Sequence, residues 1–439
     1  MRFTKFGTKF LVIGVFLFIL AYANRDSIPV PTELTTLDLV TAGGIDILAD
    51  NENENAKEFF SLSYLSAESG GTVGNEDKDV FNVKSHTLNS AIEQMQSVTN
   101  RTMKDSHLDY VLIGEKTARG NLSYFIQHYA RSPSVRFDAH VFIAKSMSAE
   151  EFFEKALTSD ISVNARVDTI LRDRTQISSF VTRNLKDLLQ IYYSKEKTGL
   201  IPVLEIVESP IDSESSKSKE DSRDNDDDSE EDEEENENED DENEADDKDG
   251  KEEDENNNDD RAYTFSFGGL GIIKDGKLVG FIEEELVRAY IILTKNLTTG
   301  TIEITDENDI LSTFGIKSTS HKISFETNER DIPVKVRLDV GVDVNFNETM
   351  AQKQILTDEN IPVLNELKNE AIKSEIELLI AKSKATGADF LRIGDAFAMR
   401  HPYKFHHIRD DWNEIFLDLE YDIQVGATLR RYFNINAYH

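Results

Sequence analysis

Residues 212–260 read DSESSKSKEDSRDNDDDSEEDEEENENEDDENEADDKDGKEEDENNNDD, 29 acidic side chains against five basic ones, a net charge of −24. The stretch holds no aromatic residue and no aliphatic one larger than Ala245. It cannot bury enough apolar surface to offset the entropy of ordering it, and its like charges repel and extend it. The expectation is a disordered acidic linker over 211–261 between two folded halves, 28–210 and 262–439. A solvated spacer is the simplest reading. A cation-binding or partner-binding tail is the alternative, and spacing alone names no ligand.

The whole chain of 439 residues carries −36, so about −12 remains outside this stretch. That is ordinary for an acidic protein and offers no overall basic field for nucleic acid. At roughly 150 residues per domain, the remainder makes two or three domains. Residues 262–320 are open to being a separate middle unit. Cysteine is absent, which excludes disulfides, thiolate metal sites, cysteine nucleophiles and lipidation at cysteine.

At the N-terminus Arg2, Lys5 and Lys9 precede an apolar run from Phe10 to Ala23 that ends in Ala21-Tyr22-Ala23. Basic region, apolar core and small-x-small tripeptide match an export signal over residues 1–27, with cleavage expected after Ala23. The run is short for a hydrocarbon core of about 30 Å, yet an uncleaved anchor stays open if Lys9 snorkels to the interface. Either way, the body is expected outside the cytoplasm.

In the first half, Thr35–Ile47 reads as a strand and Phe59–Leu65 alternates as a half-buried one. Leu88–Val98 repeats apolar residues at helical spacing, and Tyr110–Gly114 is a short continuous apolar run suited to a buried strand. Leu122, Phe125, Ile126 and Tyr129 mark another helix. Phe137–Ala144 reads as strand, Ala149–Leu157 as helix, and Ile177–Tyr193 as a further helix. In the second half, Asp275-Gly276 between two apolar runs predicts a hairpin. Glu283-Glu284-Glu285 then opens a helix to about Leu293; consecutive carboxylates point about 100° apart, so helix-end electrostatics is favoured over a shared site. Val334–Phe346 alternates without a break, predicting a long antiparallel strand with one wet face. Asp358–Lys384 is a long helix with Gly387 as its stop, and Leu419–Phe433 a last strand. The fold class expected is α+β, with mixed or antiparallel sheets and packed helices.

Lys84–Ile92, His107–Glu115 and Arg131–Ala144, in that order, resemble the N-terminal part of the Ger(x)C spore germination proteins. In that family a strand ending in Ile-Gly-Glu leads to a helix and an R-x-P-x-x-R segment; Gly114, Glu115, Arg131, Pro133 and Arg136 occupy those places. Gly44 and Asp46 fall on the early Gly-Ile-Asp. In the second half Gly280, Glu285 and Arg288 are similar to the family's hairpin and Glu-x-x-Arg helix start. Asp389, Gly394, Pro402 and Trp412 are in register with the block before the last strand. The lipobox cysteine typical of that family is missing, so membrane association must come from an uncleaved Phe10–Ala23 or from partner proteins.

The resemblance implies a non-enzymatic C subunit of a nutrient germinant receptor, at the outer face of the spore inner membrane, contacting membrane A and B subunits. The acidic bridge would permit relative movement of the two halves. The alternative is an exported solute-binding or envelope-adaptor protein. Catalytic, cofactor and metal sites are not expected. His401, His406 and His407 cluster beside Asp410 and Asp411, but surface or aromatic-packed histidines explain them better than a metal site. No phosphate loop, nucleophile elbow or HExxH is present.

Overall fold

In the computed structural model, the strands on either side of the acidic stretch are partners. Thr198–Glu208 pairs antiparallel with Tyr263–Lys274, from Thr198 opposite Lys274 to Glu208 opposite Tyr263. The structure describes residues 37–48, 59–67, 80–99, 102–132, 135–158, 180–194, 196–208, 263–351, 356–357 and 359–431, with isolated positions 167, 169 and 172. The expected export signal and its expected cleavage point, the acidic stretch and Pro133 lie outside the described residues.

The elements run β1 Leu37–Leu48, β2 Phe59–Ala67, β3 Val80–Ser85, α1 Leu88–Thr99, β4 Thr102–Lys104, β5 Tyr110–Gly114, α2 Glu115–Gly120, α3 Ser123–Arg131, β6 His140–Ala144, α4 Ala149–Thr158, α5 Leu185–Tyr193 and β7 Thr198–Glu208. After the acidic stretch come β8 Tyr263–Lys274, β9 Lys277–Ile282, α6 Glu284–Thr294, β10 Thr301–Thr305, β11 Leu311–Thr327, β12 Pro333–Thr349, α7 Asn360–Thr386, α8 Ile393–Arg400, α9 Pro402–Ile408, α10 Trp412–Asp418 and β13 Glu420–Arg431. Among the described residues, one mixed sheet runs β3-β2-β1-β5-β6-β7-β8-β9, with β4 also on β1, and a second runs β10-β11-β12-β13. The class is α+β.

Two strands of the second half therefore complete the sheet of the first. The core continues across the same boundary: Leu200, Leu270, Ile272 and Ile282 pack in one cluster with α6 and α7 residues such as Val287, Ile292, Ile376 and Leu379. The acidic stretch is thus the connection of a hairpin and not a joint between separately packed bodies, which overturns the expected relative movement through it. Replacing 209–262 with a four-residue turn should leave the circular dichroism spectrum unchanged. Shorter loop closure should raise the unfolding free energy by about 2 kcal/mol in urea titration. Loss of cooperative unfolding would contradict the hairpin placement.

Three local expectations change. Strand β2 is covered on both faces, because α4 lies over the side bearing Ser61 and Ser63, both 0% exposed. Their hydroxyls are satisfied by Asn82 Nδ2 at 2.8 and 2.9 Å. Helix α5 starts at Leu185, and residues 180–184 of the expected helix are not helical, while 177–179 lie outside the described residues: Asn184 and Asp187 form a capping box, and the Arg183 carbonyl accepts from the Val141 amide in the sheet. Strand β12 is antiparallel to β11 as expected but parallel to β13, because the α7–α10 crossover brings the chain back in the same direction.

The second half packs α7 on its sheet. Gly387 ends α7 at φ +60°, with its amide bonded to Lys384 O and that of Ala388 to Ser383 O. In that core Lys368 is fully buried, its Nζ 4.4 Å above the Phe314 ring and without a hydrogen-bond partner among the described residues.

Candidate functional site

The sheet register brings the early motifs together. Ile45 lies opposite Ile113 on parallel strands, so Asp46 reaches the place where β5 ends at Gly114. The Asp46 carboxylate accepts from the Ala149 amide at 3.0 and 3.1 Å and the Glu150 amide at 3.2 Å, at the N-terminus of α4. Space here exists only because of two glycines. A Cβ on Gly114 would lie 2.0 Å from Asp46 Oδ1, and one on Gly44 would lie 2.7 Å from the Phe153 ring. Glu115, the next residue, accepts from the Ser146 amide at 2.7 Å and pairs with Arg119.

Burial pushes the Asp46 carboxyl up to about 6 against an ordinary 3.8; its two amide donors oppose the shift, and Glu150 and Glu151 reinforce it. A pKa raised in the folded protein means stability that is fully present below pH 3.8 and is lost as pH rises through 6. The native protein should therefore lose up to about 3 kcal/mol of stability between pH 4 and pH 7 through this group. Asp46→Asn should flatten that slope, read by urea denaturation across the pH range. An unchanged slope would show that the carboxyl titrates normally.

A second lock holds the block before the last strand. Asp389 accepts from the Ile393 amide at 2.9 Å, the Gly394 amide at 2.8 Å and Trp412 Nε1 at 3.1 Å. Burial raises its pKa, opposed by these three donors. Gly394 is needed because a Cβ there would lie 2.6 Å from Trp412 Nε1. Trp412 is 5% exposed and stacks on Phe397, anchoring this block in the core. Pro402 sits in the first turn of α9.

The remaining motif positions are dispersed. Arg288 bonds Glu375 and the Thr301 carbonyl, tying α6 to α7 and β10. Glu285 is exposed in the first turn of α6, and Glu283 pairs with Lys382, so the three carboxylates do not converge. Gly280 faces Thr386 on α7. Arg131 is exposed at the end of α3, and Arg136 pairs with exposed Asp138. His401 packs on Phe397, and His406 and His407 are exposed. Among the described residues no group of three or more His, Asp or Glu is placed to hold a metal ion, and no helix is long and apolar enough to cross a membrane.

A cavity of about 260 Å³ does bring polar groups together, and sequence reasoning did not find it. It opens where α5 and β7 of the first half meet α6 and α8 of the second, lined by Arg183, Asp187, Gln190, Tyr290, Arg392 and Asp395 among others. A second cavity of about 280 Å³ shares Glu196, Thr198 and Asp389 with it and reaches Arg409 and Trp412. Arg392 and Lys197 at this cleft hold positive φ, 58° and 47°, which non-glycine residues adopt at a cost.

Comparison with known proteins places these features in a family. The family described as "Spore germination protein N-terminal domain" matches residues 31–206, and the one described as "Spore germination B3/ GerAC like, C-terminal" matches 268–432. The chain belongs to the GerAC-like spore germination proteins. The two matched regions end and begin on either side of the acidic stretch, whereas the strands that flank it, β7 and β8, pair within one sheet. Two Bacillus subtilis proteins are similar along nearly the whole length. "Putative spore germination protein YfkR" is 17% identical, with 91% of each chain covered. "Spore germination protein KC" is 19% identical over 91% of this chain and 90% of that one. The fold is shared with the structure titled "Crystal Structure of the GerBC protein", at TM-score 0.52 and 15% identity, over 89% of this chain and 98% of that one. In this GerAC-like chain Asp46 and Asp389, the two aspartates of the motifs, each cap a helix inside the protein.

Proposed function

We propose that the protein is the C subunit of a nutrient germinant receptor and works by contact, without catalysis. The match to both germination modules, in order and over more than three quarters of the chain, carries this reading. The fold supports it: the motif aspartates are consumed in packing helices, leaving the halves locked as one body that can transmit a displacement. The subunit would sit at the outer face of the spore inner membrane, held by Phe10–Ala23 or by its neighbours, beside a multispanning A subunit and a transporter-like B subunit.

Deleting the gene and following dipicolinic acid release from purified spores tests the assignment. Selective loss of the response to a nutrient is expected, restored by the gene, with pressure or lysozyme germination intact. Unchanged release across nutrients, with envelope proteins co-purifying in place of A- and B-like subunits, would favour the exported adaptor instead.

A further inference from the structure

We propose that the cleft between the two halves binds a monocarboxylate at Arg183 and Tyr290. The argument starts from an unbalanced guanidinium. Arg183 is half-buried, donates through Nη1 to the Thr182 carbonyl at 3.2 Å and through Nη2 to the Tyr290 hydroxyl at 3.0 Å, and has no carboxylate partner among the described residues. Two of its five N–H donors are thereby used. Taking a guanidinium partly out of water without an anion is costly.

The lining is not short of carboxylates; they are engaged elsewhere. Asp187 closes the capping box of α5, Asp389 accepts its three internal donors, and Asp395 pairs with Arg392. The fork geometry of arginine matches a carboxylate with two parallel hydrogen bonds. Tyr290 is only 5% exposed, and its oxygen already accepts from Arg183, so its own proton is left to donate. A carboxylate in the cavity would take hydrogen bonds from both groups.

The rest of the wall sets the class of ligand. Glu196 lines both cavities, and its carboxylate has no partner among the described residues. With Asp187, Asp389 and Asp395 it repels a second negative charge, so the far end of the ligand is neutral or cationic. The volume lies below the 300–1,000 Å³ typical of drug-sized pockets, which limits the ligand to a small molecule or to the end of a peptide.

The full-length protein should be titrated with propionate, β-alanine, succinate and a decapeptide carrying a free or amidated C-terminus, followed by saturation-transfer NMR. Saturable binding of propionate or β-alanine, tighter than succinate, is expected if the ligand is a free small acid. Binding of the free-terminus peptide alone would assign the carboxylate to a protein tail. Arg183→Gln should weaken the bound probe at least about tenfold, and Tyr290→Phe about threefold, with the melting temperature as the folding control. Tyr290→Phe removes one O–H and carries the test if Arg183→Gln does not fold. No saturable probe, or equal affinity in a folded variant, overturns the proposal.

Discussion

Gly114→Ala should be among the most damaging single-methyl additions in this protein, lowering the unfolding free energy by about 4 kcal/mol. The added Cβ would fall 2.0 Å from Asp46 Oδ1, 3.1 Å from Ser148 Cα and 3.2 Å from the Ala149 amide nitrogen. Asp46 Oδ1 ends a side chain that is held in place by the Ala149 and Glu150 amides, and the other two atoms are backbone. Strand β5 is buried along its whole length, so it cannot move aside, and the α4 N-terminus is held by the carboxylate that would be displaced. Overpacking costs about 1–3 kcal/mol, and unsatisfied amides at the helix end add about 1–3 more. Urea denaturation of the variant reads the total. A double-mutant cycle with Asp46→Ala tests the cause: if the clash is with the carboxylate, Gly114→Ala should cost much less once Asp46 is shortened. Additive costs would place the strain elsewhere.

Lys368→Met should act in the opposite direction, stabilising the protein by about 3 kcal/mol at pH 7. The ammonium is buried in the second-half core, where burial lowers its pKa from 10.5 to about 8. Its contact with the Phe314 face recovers part of the lost hydration but supplies no counter-charge. A lysine with a depressed folded pKa carries its full penalty below pH 8, and the penalty is relieved as pH rises from 8 towards 10.5. The native protein should therefore gain stability from this group over that interval, and the methionine variant should not. Methionine keeps the length and apolar body of the side chain. Thermal unfolding at pH 7 and pH 10 reads both effects, and a destabilised variant at pH 7 would show that the ammonium has a partner in solution.

Much of the fold is legible wherever burial and periodicity agree. Tyr110–Gly114 reads as a buried strand because both its faces are covered, and the Asp275-Gly276 turn holds positive φ at both residues, 52° and 76°. Strand β11 is hidden for a physical reason. Its first part buries Ser312 and Thr313 beside Phe314 and Ile316, and its later part is polar, so no period of two survives the irregularity between Ile316 and Ser318. The β7–β8 pair is hidden by distance along the chain, since hairpins announce themselves only through short turns. The same limit conceals the cleft. Arg183 and Tyr290 meet across 107 positions, and neither belongs to a local pattern. The motif glycines and aspartates were visible as positions, but their reason lay in the neighbouring strand.

The β7–β8 ladder gives the molecule a mechanical direction. The acidic stretch leaves from Glu208 and returns at Tyr263, directly opposed residues at one end of that ladder. A load drawing those two residues apart would unzip the strands one pair at a time. A load along the strand axis, drawing Thr198 of β7 against Tyr263 of β8, must shear every pair together. The first half enters β7 at Thr198 and the second half leaves β8 at Lys274, which are also directly opposed, so tension carried along the chain between the halves meets the weak direction too, from the other end of the ladder.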